Sequence, residues 1–470
     1  MKVTFTDIGP VKKSEIDLSK NLIVLCGPNN TGKTYIAYSI FGMFRSYRYG
    51  DSGRFKFTTK EMDDLVKQGV ITINLVDKFK TNQQAIEKTI EKRLIDNLPG
   101  IFGLEKKSAN NIFSKATITL DIIENTQIID KIKSSEANQK VSFGSNIIEL
   151  IKKKDSETAE LIFKTKETKK LKANVNSFMA HILPDLIYST IVRVFLPYPY
   201  IVPVERNSIF TFSKELSISR NNLVDRLLEL KSNKKEDNPF ELLEKQASRY
   251  PWPIRFNLEI AADIDDIKKK TSEFSGLANE LESKFLKGKI VINNDSTVTF
   301  QPDNTEKVFL PVHLTAAVTK SLAGLVIYLK HLATKDSFII IDEPEMNLHP
   351  DAQILMARIL VTMVNQGFKV LISTHSDYIV REINNMIMLS KIDSAKRKKI
   401  FKEYNYSDAN VISPKDVGAY LFNFDNKSKD GIISKSIPVD EDGFDVITLD
   451  KTINELNERS QSLYFNLKES

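Results

Sequence analysis

At 470 residues, 41% of them hydrophobic, the chain is long enough for two or three domains with cores of their own. Its 67 cationic and 61 anionic side chains leave a net charge of +6, a mixed and mildly basic surface that permits nucleic-acid contact without requiring it. A single cysteine, Cys26, excludes an intramolecular disulfide and a cysteine-rich zinc site, and no run of about 18 uncharged apolar residues offers a membrane span.

The opening Met-Lys-Val-Thr-Phe-Thr-Asp lacks the apolar stretch and cleavage site of a signal peptide, so a cytoplasmic protein is expected. Three short strands are predicted in the first 26 residues, "KVTFTDI", "KSEIDL" and the fully apolar "LIVLC", in which Cys26 reads as a small buried residue. After them the spacing Gly27-Pro-Asn29-Asn30-Thr31-Gly32-Lys33-Thr34 fits G-x-x-x-x-G-K-[ST], a loop whose backbone amides cradle phosphates, whose lysine reaches them and whose threonine hydroxyl binds Mg²⁺. Tyr35, Ile36, Tyr38, Ser39, Ile40 and Met43 then follow at helical spacing, which supplies the strand, loop and helix that such a site needs.

From 59 to 195 the chain is lysine-rich and mostly helical in pattern, with strand candidates in "VITINLV" and "ATITLDI". Ile86, Ile90, Leu94 and Leu98 line one helix face that is expected to stop at Pro99-Gly100, and "SFMAHILPDLIYSTIVRVFL" reads as a helix with an internal proline. No heptad is sustained over many turns, so a compact insertion is expected here rather than a long coiled-coil arm. The stretch "YPYIVPVERNSIFTF" predicts a buried strand ending in a turn that displays Glu205 and Arg206, the arginine facing either a phosphate or a structural acid partner. Helix is expected over 221–248, then a hairpin of "GKIVI" and "TVTFQP" across Asn-Asn-Asp-Ser.

A phosphate loop needs carboxylates from elsewhere to hold magnesium and prepare the attacking water. "SFIIIDEPEMNLHP" supplies them: Phe338 to Ile341 form a central strand, and Asp342 and Glu343 stand at its end, where open α/β sheets place their chemistry. Asp342 would hold Mg²⁺ with Thr34, and Glu343 would polarise the water that attacks the γ-phosphate. Downstream, the strand Val370 to Ser373 ends in Thr374-His375-Ser376, which puts His375 in position to read the γ-phosphate. The basic cluster at 395–402 is a solvated helix face or a phosphate contact, the acids Asp440, Glu441 and Asp442 form an exposed turn, and 421–470 read as a small appended strand and helix.

The order of phosphate loop, "LTAAVTKSLAGLVIYL", "IIIDEPEMNLHP" and "ISTHS" resembles the ABC-type ATPase heads, and among them the OLD-like and SMC-like ATPases, over residues 1–60 and 196–390. That resemblance implies an α/β P-loop NTPase head with a mixed β-sheet flanked by helices, made from 1–58 and 196–420, interrupted by a mainly helical insertion over 59–195 and followed by an appendage over 421–470. It implies ATP and Mg²⁺ as ligands and a homodimer or higher homo-oligomer formed through the ATP sites. In the family a signature helix of one subunit caps the γ-phosphate held by the other; Leu314-Thr315-Ala316-Ala317-Val318 occupies its place, with Thr315 as the N-cap facing the anion. Both family glycines are alanines here and the glutamine is Val318. Met346-Asn347-Leu348-His349 is similar to the family's D-loop, with His349 for its aspartate, or simply starts the helix before Pro350. "E-P-E-x-x-L-H-P" and the "V-x-R" strand look like the ATPase subunits of bacterial anti-phage systems such as PARIS, Septu and certain retrons, which implies an effector protein, a nuclease or toxin, encoded nearby. Rival readings are a DNA repair or recombination ATPase that clamps DNA, a scaffold that binds ATP and barely turns over, and a transporter's energy subunit.

Overall fold

The computed structural model describes residues 1–46, 57–122, 126–143, 146–165, 172–211, 250–305, 308–424 and 431–469. The helix expected over 221–248 lies outside the described residues. The chain divides into two compact units, a larger one of Thr4–Phe41, Leu98–Thr117 and Pro199–Ser470 and a smaller one of Met1–Val3, Gly42–Asn97 and Ile118–Tyr198.

In the larger unit the strand Leu22–Cys26 lies between two parallel neighbours, Lys369–Thr374 on one side and Val417–Phe424 on the other. Lys369–Thr374 pairs in parallel with Phe338–Asp342, which pairs in parallel with Pro199–Val202. Leu22–Cys26, Phe338–Asp342 and Pro199–Val202 are buried at every residue, as strands covered on both faces must be, and this is why they read as unbroken apolar runs. The register sets Thr374 beside Cys26 and Asp342 beside Ser373, so the carboxyl ends of three parallel strands deliver the phosphate loop, the acid pair and His375 to one edge.

Beyond the parallel strands the sheet continues antiparallel through Ile432–Ile437, which borders Val11–Asp17. This corrects the expected C-terminal appendage: the strands at 417–424 and 432–437 belong to the main sheet, because the apolar "VGAYLFNF" covers the open side of the phosphate-loop strand. The expected hairpin forms from Gly288–Ile292 and Val298–Pro302, and Leu310–Pro311 adds a third strand. Helix Pro350–Asn365 begins with proline at its first turn and His349 as N-cap. Helix Ser394–Tyr404, which carries the basic cluster, buries none of its side chains.

The smaller unit contains the expected helices, among them Thr59–Gln68, closed by a Thr58 and Glu61 capping box, and Lys172–Phe195 with Pro184 inside it. Helix Leu75–Ile101 runs two residues past the expected stop, carrying Pro99 in its last turn. The unit also holds a four-stranded antiparallel sheet, in the order Val70–Asn74, Thr158–Thr165, Asn146–Lys152, Ala137–Phe143, of which only the first coincides with a strand expected from the sequence. Among the described residues no helix is long and apolar enough to cross a membrane.

Candidate active site

The phosphate loop is held in a shape that its glycines alone permit. Gly27 has φ 137° and Gly32 φ 77°, and a Cβ on Gly27 would sit 2.2 Å from the Phe422 carbonyl oxygen. Asn30, between them, is also left-handed at φ 61°, and successive turns of this kind gather amide groups into an anion-binding concavity. Asn29 and Asn30 are exposed, whereas Thr31 is buried and donates from Oγ1 to the Pro28 carbonyl at 2.7 Å. Lys33 opens the helix Lys33–Ser46; its side chain arches back over the loop, Nζ donating to the Gly27 and Pro28 carbonyls at 2.8 Å each. Burial lowers its pKa, and the nearby Glu343, Asp342 and Glu345 oppose that shift.

Asp342 ends its strand with no exposed surface. Ser373 donates from Oγ to its Oδ1, and the Thr34 side chain lies beside the same carboxyl. Oδ2 has no hydrogen-bond partner among the described residues. Burial raises this carboxyl to about 6, against the pull of Ser373 and Thr34. A buried carboxylate oxygen with no hydrogen-bond partner among the described residues, beside a hydroxyl and at the mouth of a phosphate loop, is what a hard divalent cation would complete, so the residues present fit Mg²⁺. Thr34 and Asp342 would hold it. Among the described residues no cluster of three or more His, Cys, Asp or Glu offers a rival metal site, and at the acidic turn Glu441 is paired with Lys391 at 2.7 Å.

Glu343 sits in the left-handed region at φ 52°, a cost of about 1–2 kcal/mol for a residue with a Cβ, and its N–H donates to the Ser373 carbonyl at 3.0 Å. The turn is pinned from the other side by Arg206. This arginine is buried, against the expectation that its turn displays it, and its hydrogen bonds run to backbone carbonyls and a serine hydroxyl rather than to an acid side chain. Nη1 donates to the Asp342 carbonyl at 2.7 Å, Nη2 to the Glu343 carbonyl at 2.7 Å and Nε to Ser321 Oγ at 2.7 Å. Burial brings its pKa down to about 10, while the charges of Asp342, Glu345 and Glu343 favour its cationic form. Glu205 turns instead toward Tyr38, whose hydroxyl donates to it at 3.3 Å.

His375 is partly exposed, with Nδ1 3.3 Å from Glu345 Oε1 and 3.8 Å from Glu343 Oε1. Glu345 was not singled out from the sequence. It is buried, accepts from Thr374 Oγ1 at 2.8 Å and from the His375 N–H at 2.7 Å, and keeps Oε2 without a partner among the described residues. The signal for it was present as the second acid of Glu-Pro-Glu, but nothing local tied it to residues 29 and 30 positions further on.

Thr315 departs from its expected role. The N-cap of helix Ala317–His331 is Ala316, and Thr315 closes the preceding 3₁₀ turn Val312–Leu314, its Oγ1 donating back to the Val312 carbonyl at 2.7 Å. The extra turn shifts the helix start by one residue and occupies the hydroxyl that was to face an anion.

Three solved structures resemble the chain distantly. An SMC head bound to the C-winged-helix domain of ScpA is 11% identical with a TM-score of 0.34, covering 93% of this chain and 98% of that one. A Pyrococcus furiosus SMC head with an extended coiled coil, bound to the C-terminal domain of ScpA, is 12% identical with a TM-score of 0.32, covering 98% of each. The SMC head of Thermotoga maritima is 10% identical with a TM-score of 0.29, covering 93% of this chain and 98% of that one. Likenesses of this strength bear no weight on function. No curated protein matches the chain. The model of the family AAA_15, described as an AAA ATPase domain, matches residues 2–380 and so spans the phosphate loop, the acid pair and His375: the chain belongs to this family of ATPase domains.

Proposed function

We propose that the protein is a Mg²⁺-dependent ATPase of the ABC/OLD-like class that pairs with a second copy around bound ATP and uses nucleotide state to hold or release a partner protein. The observation that carries the hydrolytic part is the buried, unpartnered Oδ2 of Asp342 beside Thr34, with Glu343 next to it and the Lys33 loop at the end of Leu22–Cys26, one strand removed across Lys369–Thr374. Lys33 and the loop amides hold the β- and γ-phosphates, Thr34 and Asp342 hold the cation, Glu343 orients the attacking water and His375 reads the γ-phosphate. Bound there, Mg²⁺ would neutralise charge on the phosphate oxygens. The segment Leu314 to Val318 of the second copy closes the site, through backbone groups rather than the Thr315 hydroxyl.

The partner reading rests on the resemblance to anti-phage ATPase subunits and points to a nuclease or toxin encoded nearby. The exposed basic helix Ser394–Tyr404 favours one other reading, direct binding of DNA by a repair or recombination ATPase, for which hydrolysis would be DNA-stimulated and steeply salt-dependent. Replacing Glu343 tests the chemistry common to both. Glu343→Gln is expected to leave ATP binding intact and to slow turnover by at least ~10²-fold, the scale of losing a positioned general base. Equal turnover in variant and wild type removes Glu343 from the mechanism.

A further inference from the structure

We propose that Arg206 is a positioning residue for hydrolysis, fixing the backbone of the acid pair and tying it to helix Ala317–His331; this rests on the ATPase reading above. Its three 2.7 Å bonds reach two separate elements from the helix start that follows strand Pro199–Val202: the consecutive carbonyls of Asp342 and Glu343, and the hydroxyl of Ser321 in helix Ala317–His331. A guanidinium fork suits two parallel acceptors, and it is spent here on peptide oxygens rather than on a carboxylate. Those oxygens belong to the residue that would hold the cation and to the residue that would orient water. Glu343 in addition sits in a left-handed conformation that its neighbours must impose. The clamp therefore sets where the Glu343 side chain departs from the chain.

Ser321 extends the same logic to the helix. It is buried, one turn in from the helix start at Ala317, so a displacement of that helix reaches the Glu343 carbonyl through two hydrogen bonds. Under the pairing proposed above, the start of this helix is where the second copy's nucleotide is met. Arg206 would then relay head pairing to the hydrolytic acid.

The test compares Arg206→Lys, which keeps the cation and loses the fork, with Ser321→Ala, which removes only the Nε partner and is the safer fold. Full-length protein is assayed for equilibrium ATP binding and for hydrolysis over a range of ATP concentrations. The expected result is a kcat lowered ~10–10²-fold in Arg206→Lys, the scale of a misplaced catalytic group, and lowered less in Ser321→Ala, with ATP affinity within about twofold of wild type in both. A general structural role would move affinity and kcat together. Unchanged kcat in both folded variants, or affinity falling in step with kcat, overturns the proposal. A wild-type protein that binds ATP without hydrolysing it overturns the ATPase reading itself, a failure visible before any variant is made.

Discussion

Each unit of the molecule buries a cation among backbone carbonyls, and the two cases differ in what stands around it. In the smaller unit Lys152 is almost fully buried and donates to the carbonyls of Lys133, Ser135 and Lys153 at 2.6–3.1 Å, closing the end of helix Thr126–Ser134. In the larger unit Lys33 and Arg206 also donate to carbonyls, but three carboxylates, Asp342, Glu343 and Glu345, surround them. The two buried carboxylate oxygens without a hydrogen-bond partner among the described residues, Asp342 Oδ2 and Glu345 Oε2, both lie in this cluster. Lys152 has three carbonyl acceptors for its three N–H donors, whereas the two site carboxylates each keep an oxygen with capacity for a ligand.

Substitutions that separate stability from activity sharpen this contrast. The largest effect is expected at Gly27→Ala, where the new methyl meets a backbone carbonyl and an unfavourable φ: about 2–4 kcal/mol of stability and measurable ATP binding should both be lost. Calorimetric unfolding and nucleotide titration check it.

Asp342→Asn should dissociate the two properties. A carboxyl raised from 3.8 to about 6 binds its proton more tightly in the folded state, so the stability it contributes is present below the unfolded value and is lost as pH rises through about 6. At neutral pH the ionised side chain thus withholds roughly 3 kcal/mol from the fold. The asparagine variant should unfold at a higher temperature than the wild type at pH 7, lose much of the wild type's pH dependence between about 4 and 6, and lose Mg²⁺-dependent ATP binding. An asparagine variant that is less stable and still binds Mg²⁺-ATP would break the contrast. In the smaller unit, Lys152→Met leaves three carbonyls unbonded and should cost about 1–3 kcal/mol, with kcat per folded molecule unchanged.

How much of this was legible in the sequence follows from the same contrast. Strands covered on both faces appear as "LIVLC" and "SFIII", and a loop defined by glycine spacing needs no tertiary context, so the phosphate loop, the acid pair and His375 could be located. In the smaller sheet the alternation is real, with Leu150 and Leu161 inward, but the outward positions of Ala137–Phe143 and Thr158–Thr165 carry Lys140, Glu160 and Lys164, which blend with the neighbouring helices, and the inward Gln139 breaks the apolar face. Arg206 acts on peptide carbonyls, which have no sequence signature. Val417–Phe424 neighbours Leu22–Cys26 across nearly the whole chain, and a single 3₁₀ turn moves the N-cap from Thr315 to Ala316. These are features set by long-range packing or by one residue of register, where local pattern is silent.

The Lys33 loop, Thr34, Asp342 and Glu343 are expected to converge on one magnesium-bound nucleotide. A crystal structure with Mg²⁺ and a non-hydrolysable ATP analogue would show it. Phosphates are expected within the Gly27 to Thr34 loop, with Lys33 Nζ moved from the Gly27 and Pro28 carbonyls onto them and the cation between Thr34 and Asp342. An analogue bound elsewhere, or a cation that Asp342 reaches neither directly nor through one water, would contradict it.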